Sequence, residues 1–249
     1  MRYYHYLFLG ALWFAAPAAA QQVSTASPKL LLDLCGSTTK PAAQSVTACH
    51  MLLADPRIQN LSATPAGQQL IEGIYYDLGV EYERLNHFPE AVQSYTAALK
   101  LNQNDVQALG NRGADYMLLN EYQPAITDFT QAIALAPQDY ILFMNRGATY
   151  DQAQHYQAAL ADLNRAVAMA PQDPMVYFDR GNVYRHLKKF DQAIADYNQA
   201  IRLSPHYAEA FANRSLAYET IGQHAQAVQD CAKARSFAQA GYQPTCPAD

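Results

Sequence analysis

The sequence predicts an all-α protein, a solenoid of stacked helical hairpins. Three observations predict it. Asn111-Arg112-Gly113 returns at 34-residue steps as Asn145-Arg146-Gly147, Asp179-Arg180-Gly181 and Asn213-Arg214-Ser215, with Tyr116, Tyr150, Tyr184 and Tyr218 each three residues further on. Alanines keep the same register at Ala125, Ala159, Ala193 and Ala227, and again at Ala132, Ala166, Ala200 and Ala234. Pro137, Pro171 and Pro205 close three of the units. A period of this length marks a helix–turn–helix unit, and each hairpin buries its apolar face only by stacking on a neighbour. Gly79, Tyr82, Ala91 and Ala98 supply a further copy upstream.

We number each unit 1 to 34 from Glu72, Val106, Tyr140, Pro174 and Ala208. Position 4 is bulky (Tyr75, Leu109, Phe143, Tyr177, Phe211), and so is position 24 until Cys231 (Tyr95, Phe129, Leu163, Tyr197). Position 8 is small, positions 20 and 27 are alanine, and position 11 is tyrosine. Positions 4, 8 and 11 share one face of helix A, and 20, 24 and 27 one face of helix B. Small residues let the backbones approach while bulky ones fill the space beside them. The pattern resembles the tetratricopeptide repeat, five times over. That resemblance implies a right-handed superhelix whose concave groove binds peptides. Departures are Gln103 and Gln239 in place of the proline at 32, and arginine instead of leucine at position 7 in repeats two to five.

Taken in order, residues 1–20 read as a signal peptide: Arg2, an apolar run from Leu7, then Ala18-Ala19-Ala20 before the cut. The run is too short to span a membrane, which needs about 20 apolar residues. Residues 21–27 form a polar linker. Residues 28–64 are expected to be an N-terminal helical cap. Ser27-Pro28 starts a short helix that Gly36 ends, and Lys40-Pro41 opens a second running to about Ala54. Val46, Cys49, Leu52 and Leu53 give this second helix an apolar stripe to lay on repeat one. Thr64-Pro65 begins the first repeat (65–105), followed by repeats at 106–139, 140–173, 174–207 and 208–240, and a tail at 241–249. The last repeat is the capping one, since Ser215, Cys231 and Arg235 break its pattern.

The four cysteines of an exported chain point to two disulfides. A solenoid holds its two ends apart, so Cys35–Cys49 and Cys231–Cys246 are the pairings expected. Arg112, Arg146, Arg180 and Arg214 at position 7 each accompany an aspartate at position 23: Asp128, Asp162, Asp196 and Asp230. Repeat one lacks both members, with Leu78 and Ser94. Gained and lost together, they read as ion pairs bracing each hairpin. Ligand binding by the arginines and solvated charge are the other readings.

Helix-A positions 2, 5, 6, 9, 12 and 13 are those that line the groove in this family. Position 6 reads Asp77, Asn111, Asn145, Asp179 and Asn213. It resembles the asparagine ladder of the repeat domain in O-linked N-acetylglucosamine transferases, where amides hold a peptide backbone. An amide both donates and accepts, which suits a peptide unit. Tyr76, Met144 and Phe178 at position 5, Ile141 and Met175 at position 2, and Met117 at position 12 supply apolar, adaptable neighbours. Lysine is absent from position 5, so a carboxylate clamp for a partner's C-terminus is not expected.

A formal net charge of −5 leaves no basic stripe for nucleic acid. The sequence has no metal-binding Cys-x-x-Cys or His-Glu-x-x-His, no phosphate-cradling loop and no Gly-x-Ser-x-Gly elbow. Together these predict a non-enzymatic, cofactor-free scaffold, periplasmic or secreted and not inserted in the membrane once the signal is cut. Its partner would be a protein or peptide, held as an extended segment in the groove. The alternative is a structural subunit of an envelope assembly that uses its ends or convex face.

Overall fold

A computed structural model describes residues 27–238 and 242–246, so the signal, residues 21–26 of the linker and part of the tail lie outside the described residues. The described residues form helices without strands, in two compact units that meet at Ala136 and Pro137.

The first unit opens with α1 (Pro28–Leu34), α2 (Ala42–Ala54) and the short α3 (Pro56–Gln59). Ser27 Oγ accepts from the Leu30 amide at 3.4 Å, and the αL residue Gly36 (φ 69°) turns the chain after α1. The sequence reading had no element between Ala54 and Thr64. The structure places α3 there, started by Asp55 accepting from the Arg57 amide at 2.8 Å, and then a 3-10 turn at Asn60–Ala63. Thr64 caps α4 (Pro65–Arg84), accepting from the Gly67 amide at 3.1 Å. α2 lies along α4, and Leu31, Cys35, Ala48, Cys49, Leu52, Ile58, Ile74 and Leu78 form one buried cluster. Within it the Cys35 and Cys49 sulfurs are joined at 2.07 Å. The hairpins are α4 with α5 (Phe88–Leu101), and α6 (Val106–Leu118) with α7 (Tyr122–Leu135).

The second unit holds α8 (Tyr140–Gln152) with α9 (Tyr156–Met169), α10 (Pro174–His186) with α11 (Phe190–Leu203), and α12 (Ala208–Thr220) with α13 (His224–Phe237). Cys246 in the tail is bonded to Cys231 on α13.

Two regularities not singled out from the sequence set the hairpins. Asp105, Asp139 and Asp173, at position 34, cap the following helix A by accepting its first free amides. Position 15 is left-handed in every hairpin, at Asn86, Asn120, Gln154, Lys188 and Gly222 (φ 59° to 78°), which breaks helix A from helix B.

Position 8 explains its own composition. A Cβ added to Gly79, Gly147 or Gly181 would lie 2.6, 2.8 or 2.7 Å from the side chain of Tyr95, Leu163 or Tyr197, all fully buried. Repeat five carries Ser215 there and the smaller Cys231 at position 24. Gly181→Ala should therefore cost about 1–3 kcal/mol by overpacking. Gly73→Ala, where nothing lies within 4 Å, should be neutral or stabilising by up to about 1 kcal/mol. Denaturant titrations of the two variants check this. Equal stabilities would remove the packing explanation.

Candidate functional site

The ion pairs are formed within each repeat. Nε and an outer nitrogen of each arginine donate to the two oxygens of its aspartate: Arg112 to Asp128 (2.7 and 2.8 Å), Arg146 to Asp162 (2.7 and 2.9 Å), Arg180 to Asp196 (2.8 and 2.7 Å), Arg214 to Asp230 (2.6 and 2.7 Å). The aspartates are buried. Each guanidinium also lies within 6.0 Å of the ring of its tyrosine at position 11. The remaining nitrogen of Arg112, Arg180 and Arg214 reaches back to the preceding helix B, to Thr96, Asn164 and Asn198. Hydrogen bonds donated to Asp162 and Asp196 hold Arg146 and Arg180 above the usual arginine pKa. These arginines brace hairpins and are committed.

On the helix-A face of the first unit, the position-6 side chains point to neighbours of their own chain. The Asp77 carboxylate fills the space above Gly36 in the cap, and burial raises its pKa. The Asn111 amide donates to the Tyr76 and Tyr95 hydroxyls, both at 3.3 Å. Met117 is only 4% exposed. Met117 is thus corrected from a groove-lining to a packing residue, because the fold buries it, while Asp77 stays partly exposed beside the cap.

The second unit presents a different helix-A face. Met144 is 5% exposed, so it too is a packing residue rather than a groove contact. Ile141, Met175 and Phe178 remain partly exposed, as do Asn145, Asp179 and Asn213. Asn182 Oδ1 accepts from the Asn213 amide at 2.7 Å and from the Tyr197 hydroxyl at 2.9 Å. His186 Nδ1 lies 2.8 Å from Asp151, and its Nε2 lies 3.1 Å from Arg185. That arrangement fits a neutral imidazole donating through Nδ1 and accepting from Arg185. Asp173 is spent on the Met175 amide (2.9 Å) and the Tyr140 hydroxyl (2.8 Å). Asp179 differs from these acids, because among the described residues no donor or cation reaches its carboxylate. Burial, then the nearby Asp151 and Asp173, push its carboxyl up to about 7. Beside it at position 5, Phe178 meets Tyr207 with ring centroids 5.0 Å apart.

Sequence reasoning missed Asn182, Arg185 and His186. They occupy positions 9, 12 and 13, which belong to the groove set but do not recur by type from repeat to repeat. Among the described residues no group of three or more His, Cys, Asp or Glu could hold a metal ion.

Family models described as the tetratricopeptide repeat match residues 73–105, 106–139 and 147–217, more than half of the chain. The chain is a tetratricopeptide repeat protein. No match is found among curated proteins. Among solved structures, MamA is 28% identical with a TM-score of 0.58, over 67% of this chain and 91% of that one. A tetratricopeptide repeat protein from Parabacteroides merdae ATCC 43184 is 19% identical with a TM-score of 0.70, over 89% of this chain and 80% of its own. YrrB, described as a TPR protein with an unusual peptide-binding site, is 22% identical with a TM-score of 0.53, over 66% and 84%. The last two likenesses show the fold alone.

Proposed function

We propose that the protein is an exported scaffold that holds an extended segment of a partner protein on the helix-A face of its second unit. The observation that carries this is the exposed surface of α8, α10 and α12. There Ile141, Met175 and Phe178 stay partly exposed beside the polar side chains of Asn145, Asp179 and Asn213. Apolar contact with polar groups able to bond a backbone is what an extended peptide requires. Export is supported by the two disulfides, which persist in oxidising compartments, and by the signal-like run from Leu7 to Ala20.

A photocrosslinking amino acid placed at 141 or 175 should capture the partner from the native envelope. The same probe at Ala161 or Ala195, both exposed on helix B, should not. Capture only from the helix-B sites or from the chain ends would replace this reading with that of a structural subunit.

A further inference from the structure

We propose that the helix-A face of the second unit receives a basic side chain, lysine or arginine, of the bound segment, seated on the Asp179 carboxylate and the Phe178–Tyr207 ring pair. This rests on the preceding reading and names the chemistry of the partner.

Three observations point to a cation. Asp179 is an acceptor that no donor in the described chain uses, while the acids around it are engaged. Asp151 is held by His186, and Asp173 caps α10 and accepts from Tyr140. Next to Asp179, at the adjoining position of α10, stands an aromatic ring pair with centroids 5.0 Å apart. The faces of aromatic rings attract ammonium and guanidinium groups, and a carboxylate beside them adds a full opposite charge. The surroundings are also acidic. Asp151 comes from α8 and Asp173 from the start of α10. Against them stand Arg185 and His186, which are bonded to one another, and the neutral Tyr197 hydroxyl and Asn213 amide, which both donate to Asn182. An acidic partner side chain would meet repulsion here, and a neutral one would leave Asp179 without a counter-charge.

The seat should depend on pH. Asp179 has its carboxyl raised to about 7, so it is largely protonated at pH 6 and largely ionised at pH 8. A cation binds the ionised form and expels the proton, and the ionised share rises roughly tenfold between those two pH values.

The test uses the full chain and blocked nine-residue peptides of alanine and serine whose central residue is arginine or its neutral isostere citrulline. Fluorescence anisotropy at pH 6 and pH 8 reads the affinity. The arginine peptide should bind about tenfold more tightly than the citrulline peptide at pH 8, and within about threefold at pH 6. Asp179→Asn, checked by thermal melting, should abolish that preference and its pH dependence, as should Asp179→Ser. Equal binding of both peptides at both pH values would overturn the cation seat and leave the peptide-binding reading standing. Failure of both peptides to bind at both pH values would overturn both readings. A preference that survives both Asp179 variants would place the cation elsewhere and overturn this assignment.

Discussion

Asp196→Leu should lower the stability of the protein by about 3–5 kcal/mol, because it leaves the Arg180 guanidinium largely buried and unpaired. Arg180 gives Nε to Asp196 at 2.8 Å and a second nitrogen at 2.7 Å, and only 19% of its side chain is exposed. Two aromatic rings, Tyr177 and Tyr184, lie 5.7 and 6.0 Å from its central carbon, so water has little room to replace the lost carboxylate. Arg180→Met alone should also destabilise, since it strands Asp196. The double variant should recover much of the loss, because apolar groups of similar volume often replace a buried pair at small cost. A double-mutant cycle by denaturant unfolding measures the coupling. Additive effects would mean that the pair contributes nothing as a pair. Arg146 with Asp162 should behave alike.

Stability should fall as pH rises from about 6 to 9, with the melting temperature dropping on the order of 10 °C. The cause is a set of buried acids in the first unit. Asp115 is fully buried, and neither of its oxygens has a hydrogen-bond partner. Burial, reinforced by Glu83, pushes its carboxyl up to about 9. Glu83 accepts from the Tyr95 hydroxyl at 2.7 Å. Glu81 is also fully buried and is raised to about 7, with burial outweighing the Arg84 cation at 2.6 Å. In the second unit Asp179 is raised to about 7. All three hold protons more tightly folded than unfolded. Their contribution is therefore full below the unfolded values near 4 and is lost as pH climbs through the folded ones. Asp115→Asn should flatten the upper part of this decline, between about pH 7 and 9, and raise the melting temperature at pH 9 above that of the natural protein. A melting temperature that is constant or rising over that range would contradict the assignment.

The fold was largely legible because repetition multiplies a weak signal. One alanine at position 20 says little, but five in register specify where helix B meets helix A. The ion pairs were legible for a related reason, since repeat one lost arginine and aspartate together. The site was less legible. Period alone places Met117 and Met144 on the helix-A face, but depth is set by what covers that face. Asn111 was expected to face a ligand. Two tyrosine hydroxyls that fold back toward it, from positions 5 and 24 of the preceding repeat, take up its amide. Asp115 at position 10 looks like an ordinary exposed acid in a polar stretch, and only stacking makes it interior. The short α3 was within reach of the sequence, because Asp55-Pro56 is a cap followed by a first helical proline.

A stack of near-identical hairpins is, geometrically, a polymer with no built-in length. The surface that one repeat offers to the next is the surface that another molecule could occupy, and head-to-tail contacts of that kind grow into filaments. In this protein a disulfide lies at each outer end of the described repeats. At its amino end the unmatched face of the first hairpin lies under α2, which the Cys35–Cys49 bond ties to α1. At its carboxyl end the interior aromatic of position 24 is exchanged for Cys231, and the sulfur there is spent on holding the tail. Val228, at the repeat position where Ile126 is buried, is 63% exposed on the last hairpin. The two disulfides thus fasten the cap and the tail to the outermost hairpins, where head-to-tail contacts of that kind would begin.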